Sequence, residues 1–279
     1  MKSIFELENR LDINKEFEKI VCELYWDENA ALYAEDEYHS KEYTSLIVAI
    51  DKMVFLKWKY RDTFMDVEEF IESLEINTEM VLIKGAHFIS KESFLLFLEF
   101  LINMYHLIKQ EKIELSRRAI ALFENIPKIL EKMNYKLEEL EDKIKITKRD
   151  SNVDSVLTKV PSNIAHLLLE YNDFRICNDI EAKKAILKAI DLYLDNDDKK
   201  IKKQIKSIDK DLVNTFETVL NNMGINHDNS DEIYKSMTVE EKIEWYDKCF
   251  LLMIHGIRAI TVNEIKNERK DVVKKNKNT

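Results

Sequence analysis

Apolar residues recur at helical spacing along most of the chain. Phe17, Ile20, Val21, Leu24 and Tyr25 share one helix face, and so do Leu46, Ile47, Ile50, Met53, Val54 and Trp58. Residues 2–75 therefore read as several helices, the third running from near Asp66 to near Leu74. The most apolar stretch is Met80 to Ile108. Within it, Gly85 separates a short segment from a helix capped by Ser90, which continues through Leu95, Leu98, Ile102, Tyr105 and His106 and is buried on most sides. A further helix runs from Ser116 to about Met133. Pro127 lies inside it and predicts a kink or a split, because proline removes a backbone donor and crowds the preceding turn.

The period then changes. Tyr135 to Leu140 and Asp142 to Lys148 alternate with period two, which predicts a small β-hairpin turning near Glu141–Asp142. The polar stretch Arg149 to Ser155 reads as a connector. It places the division between an N-terminal helical domain (1–150) and a C-terminal one (151–279). Four helical segments follow. Pro161 opens the first, with Ile164, Leu167, Leu168 and Tyr171. Asn178 and Asp179 cap the second, whose stripe is Ala182, Ala185, Ile186, Ala189, Ile190 and Tyr193. The third carries Ile201, Ile205, Ile208, Leu212, Phe216 and Val219 as one helix. Thr238 and Glu241 form a capping box that opens the last, with Ile243, Tyr246, Phe250, Met253, Ile254 and Ile257. The lysine-rich tail beyond Arg269 is expected to fray. The fold class is mainly all-α, with a C-terminal four-helix bundle.

Composition sharpens this picture. Among 279 residues there are 3 Gly and 2 Pro. Tight turns are therefore few, which excludes Rossmann and P-loop readings and disfavours sandwiches and barrels. The chain carries 43 basic and 53 acidic side chains, a net charge of −10. That balance opposes DNA binding overall but permits a local basic face. Cys22, Cys177 and Cys249 have no metal spacing and read as reduced, buried thiols of a cytoplasmic protein. The N-terminus has no apolar run. The stretch Phe94–Met104 is too short to span a bilayer, so no membrane partner is expected.

No HExxH, ExxH or Cys/His cluster is present, so neither a metal nor a cofactor is expected. His106, His166 and His255 fall within helices and read as ordinary structural residues, and His39 reads as solvated. His227 differs in context. It lies in the polar loop Asn221–Ser230 with Asn222, Asn226 and Asn229, where an imidazole can serve as a general acid or base and amides can position a phosphate or ribose. The same residues, with Gly224, also suit a helix C-cap followed by a turn. Glu170, Asn172, Asp173 and Arg175 cluster at the end of the first bundle helix. Arg175 is either a cation for a phosphodiester transition state or part of an ordinary arginine–carboxylate cluster. The run Lys199 to Lys206 is either an RNA-backbone stripe or a solvated face paired with nearby aspartates. Tyr25, Trp26, Tyr33, Tyr38 and Tyr43 form an aromatic, acidic patch that suits a protein partner.

Residues 161–260 resemble the C-terminal domain of HEPN-class bacterial abortive-infection proteins (AbiJ-like). The likeness rests on LLLEYNDFRICNDIEAKKAILKAIDLYL, LNNMGINHDN and EEKIEWYDKCFLLMIHGIRAI. It implies a helical bundle in phage defence that cleaves RNA without a metal, with an Arg and a following His assembled across a homodimer. On that reading His227 is the acid or base, Arg175 and Asn226 complete the catalytic set, and Asn222, Asn229 and Glu170 bind substrate. This chain departs from the family pattern: none of the residues 221–226 before His227 is Arg. The alternative is a helical immunity or regulatory protein that binds a protein partner.

Overall fold

The computed structural model describes residues 11–34, 41–84, 88–140, 143–195, 201–225 and 232–277. The chain divides into two compact units, residues 1–146 and 147–279. It is mostly helical, with small antiparallel sheets.

In the first unit, α1 (Ile13–Trp26) starts where the Asp12 carboxylate accepts from Lys15 N, and it buries Phe17, Ile20, Val21 and Leu24. Two strands that the helical reading missed follow, β1 (Ala31–Ala34) and β2 (Lys41–Thr44). They pair antiparallel with Ala31 opposite Thr44, and β1 also pairs with β3 (Glu114–Leu115) through Ala31 and Leu115. Tyr33 and Tyr43 of the aromatic patch thus lie on strands, and Tyr38 lies outside the described residues. The expected helix at 46–58 is composite: α2 (Leu46–Ala49), a π-helical turn (Ile50–Val54) and a 3₁₀ turn (Phe55–Lys57). Asp66 caps α3 (Val67–Ser73), with its carboxylate 2.8 Å from Glu69 N, and α4 (Thr78–Lys84) follows.

Ser90 caps the central α5 (Lys91–Gln110), which carries eleven buried residues. Phe94 and Phe97 meet Phe17 edge-on, while Phe100 joins Phe55, Trp58 and Phe70 in a ring cluster. α6 (Arg117–Lys132) is one helix, not the split pair that Pro127 suggested. Pro127 sits on the exposed side of the helix, which continues past it to Lys132. The expected hairpin forms from β4 (Tyr135–Leu140) and β5 (Lys143–Lys148). The buried Asn103 of α5 clasps β5, donating to Ile144 O at 2.8 Å and accepting from Ile144 N at 3.0 Å.

The second unit contains α7 (Ser151–Asp154), α8 (Ser162–Tyr171), α9 (Ile180–Asp195), α10 (Ile201–Ile208), α11 (Lys210–Asn222), α12 (Glu232–Ser236) and α13 (Val239–Lys277). α9, α10 and α11 all pack on α13, and α8 packs on α9. The third expected helix is two helices. Asp209 leaves helical geometry and caps α11, its carboxylate 2.9 Å from Leu212 N. The capping box is present: Thr238 N donates to Glu241 at 2.8 Å, and Glu241 N donates back to the Thr238 hydroxyl at 3.2 Å. α13 runs on through the tail beyond Arg269 to Lys277, with neither Gly nor Pro after Gly256 to end it.

α9 differs from expectation in a more consequential way. Its buried residues are Lys183, Ile186, Leu187, Ile190, Asp191 and Leu194, whereas Ala185 is exposed. The spacing is that of the expected stripe, displaced by one residue, or about 100° around the axis. The leucines offer more apolar area than the alanines do, and the rotation brings Lys183 and Asp191 inside. Of the three cysteines only Cys249 is buried; Cys22 is half-buried and Cys177 exposed.

Candidate functional site

Asn226, His227 and Asn229 lie outside the described residues, as do His39 and His87. Of the three other expected site residues, Glu170 and Arg175 lie at the end of α8 and Asn222 at the end of α11. Glu170 is exposed near the end of α8, and Arg175 lies on the 3₁₀ turn Phe174–Ile176 that follows. Asp173, 3% exposed, caps that turn and accepts from Arg175 N at 3.0 Å and Nε at 2.8 Å, with a further contact to the guanidinium terminus. This two-pronged pairing matches the carboxylate's charge with the cation beside it. The cation that the catalytic reading assigns to a scissile phosphate is therefore already engaged. Asp173 also bridges Thr147, and Asn172 O accepts from Lys148 N at 2.9 Å, so the cluster ties the start of the unit to the end of α8.

Asn222 ends α11, exposed, beside a cavity of about 200 Å³ that Tyr234, Met237 and Trp245 also line. Tyr234 and Tyr246 share a hydrogen bond of 2.8 Å, and Tyr246 reaches Met223 O at 3.4 Å. Burial, and then the bond to Tyr234, pushes the Tyr246 phenol above its ordinary range. Lys242 lies 4.6 Å from the Tyr234 ring centre and Lys248 4.6 Å from that of Trp245.

Two charge clusters join helices of the bundle, and the second includes a pair of the kind expected between the lysine run and its nearby aspartates. In the first, Lys183 Nζ is 2.6 Å from Asp247 Oδ1, and the Tyr171 hydroxyl donates to the same oxygen at 2.9 Å. The ammonium also sits 4.2 Å above the Tyr171 ring, whose other neighbour is Phe250, stacked at 3.9 Å. Burial first, then the Asp247 charge, raises the Tyr171 pKa. In the second, Lys202 Nζ lies 3.0 Å from Asp191, 3.2 Å from Asp195 and 3.4 Å from Glu217, joining α9, α10 and α11. Burial alone would depress the Lys202 pKa, but the bond and charge of Asp191, followed by those of Asp195, raise it. Nearby, burial and then the Asp191 charge lift the Cys249 thiol to about 12, so it is not a nucleophile near neutrality. Lys202 belongs to the lysine run whose second reading paired it with nearby aspartates; it is half-buried and tied to Asp195 as well as to Asp191 and Glu217. Among the described residues no group of three His, Cys, Asp or Glu side chains could hold a metal ion.

The outer face of α13 is a third feature. Leu251, His255, Arg258, Val262 and Ile265 follow spacings of four, three, four and three, a single helical line. All five are exposed, Val262 at 44% and Ile265 at 59%. The core line of the same helix is Phe250, Met253, Ile254 and Ile257. Only this inner line was read from the sequence.

Among the described residues no helix is long and apolar enough to cross a membrane. Compared with known proteins, the chain matches no family model, no curated protein and no solved structure.

Proposed function

We propose that the chain is a helical interaction protein that holds another protein on the outer face of α13. The observation that carries this reading is the line Leu251, His255, Arg258, Val262 and Ile265, in which exposed apolar side chains flank an exposed histidine and arginine. Single exposed apolar residues are ordinary, but three on one helix line, beside basic groups unpaired among the described residues, fit a partner surface. Lys183 and Lys202 are matched to carboxylates on other helices and tie them together, and Arg175 is matched to the neighbouring Asp173.

A metal-independent endoribonuclease of phage defence is the second reading. The resemblance suggests it, and the cavity beside Asn222 favours it, since Tyr234 and Trp245 offer aromatic rings and an amide stands at the mouth. One experiment separates the two. The full chain is incubated with labelled total RNA in EDTA beside the His227→Ala variant. The interaction reading expects intact RNA in both. Cleavage by the wild type that His227→Ala abolishes would replace it with the nuclease.

A further inference from the structure

We infer that the outer face of α13 receives an acidic amphipathic helix, an inference that rests on the interaction reading above. Where α10 ends against α13, the surface forms a groove of about 390 Å³. Ile208, Ala259 and Val262 supply its apolar wall, and His255, Arg258 and Lys266 supply its polar lining. No carboxylate is among its described lining residues. The three basic side chains make no ion pair or side-chain hydrogen bond among the described residues, unlike Lys183 and Lys202 of the bundle. The acidic residues of this stretch, Glu264 and Glu268, stand seven and eleven positions after Ile257, so they continue the inner line and leave the outer one basic.

Charge and shape together select the occupant. Leu251 to Ile265 spans about 21 Å at the helical rise, the length of four turns of a partner helix. An apolar stripe on that helix would cover Val262, Ile265 and Ile208, and flanking Asp or Glu would meet Arg258 and Lys266. A second copy of this face would set like charges together, since a two-fold contact apposes the same patch. RNA phosphates would satisfy the cations but leave the exposed Leu251, Val262 and Ile265 uncovered.

The test uses the full chain and three fluorescent probes: a synthetic helix with Leu every third or fourth residue and Glu on both flanks, its Lys-flanked counterpart, and an oligouridylate. The acidic peptide is expected to bind at least about tenfold more tightly than the basic one. Arg258→Glu and Val262→Asp, both at exposed positions, are each expected to weaken it about tenfold. Leu192→Asp, at a site 66% exposed on α9, is expected to leave binding unchanged. Equal binding of the two peptides, no binding of the acidic one, or indifference to Arg258→Glu would overturn the inference. So would preferential oligouridylate binding lost in Arg258→Glu, which would mark a phosphate surface, or self-association abolished by Val262→Asp, which would mark a dimer face. Failure of the peptide without RNA cleavage removes only the partner chemistry. RNA cleavage dependent on His227 removes the interaction reading itself.

Discussion

The two units solve the burial of polar groups in opposite ways. Residues 1–146 carry 20 basic and 30 acidic side chains, and residues 147–279 carry 23 of each, so the whole net charge belongs to the first unit. Yet the described buried polar residues of that unit are the uncharged Thr78, Ser93 and Asn103. Its core is a mass of rings around α5. The neutral second unit buries Asp173, Lys183 and Asp191. Excess charge of one sign stays in water, where desolvation costs nothing. Charge goes inside only where an opposite partner meets it.

Several measurements can break or sharpen that contrast. The largest effect is expected from Phe100→Ala, which removes a ring shared by Phe55, Trp58 and Phe70 and should cost about 3–5 kcal/mol in denaturant unfolding followed by Trp fluorescence. A cost below about 1 kcal/mol would show that the ring cluster does not hold the first unit. Next, Asp191→Ala leaves the Lys202 ammonium short of its nearest carboxylate, and a loss of about 3 kcal/mol is expected. Asp191→Leu combined with Lys202→Met should recover most of it, because a matched apolar pair replaces a matched charged pair. If the double variant is as unstable as the single one, the pair is not what the second unit depends on.

Alkali should destabilise the second unit more than the first, whose raised acids among the described residues are Cys22 and Tyr25. Cys249, Tyr171 and Tyr246 are acids whose pKa is raised by folding, and Lys202 is a base whose pKa is likewise raised. Each stabilises fully below its unfolded pKa and loses that contribution as pH rises toward the folded value. For Cys249 the loss begins near pH 8.5, the ordinary thiol value, and ends at about 12. Hydrogen exchange read unit by unit should therefore show residues 147–279 opening first as pH rises. Opening of the first unit before the second would defeat the contrast. The smallest effect is at Gly256, where an added Cβ would lie 3.0 Å from Cδ1 of the fully buried Ile205. Gly256→Ala should cost about 1 kcal/mol despite its better helix propensity, and adding Ile205→Val, which removes that methyl, should reverse the sign. A gain from Gly256→Ala alone would mean that Ile205 yields easily.

Local signals read well from the sequence. Asp66, Ser90, Ser116, Asp179 and Thr238 all cap helices, because a cap needs only its next three residues. The hairpin showed its period. What failed required knowledge of distant partners. β1 and β2 are four residues each and pair with each other, too short to show a period of two, and the further partner of β1, Leu115, lies far along the chain. The face of α9 was misread because Lys183 and Asp191 look like surface residues until Asp247 and Lys202 are seen beside them. Arg175 was legible as one half of a choice, since Asp173 stands two positions away, but the burial of Asp173 was not. The outer row of α13 is equally visible in the sequence, but the inner row alone accounts for the helix, so nothing in the pattern singles the outer one out.

That α13 is one unbroken helix has a consequence for how its two sides can vary. Inner and outer rows are locked in phase, each residue turning the axis by about 100°. A single residue inserted after Ile257 would leave every core contact up to that point in place and swing Arg258, Val262 and Ile265 a quarter-turn or more out of line with Leu251 and His255. Substitution can retune this surface freely, whereas insertion or deletion cannot, so the spacing from Leu251 to Ile265 is the quantity to compare if sister sequences come to light.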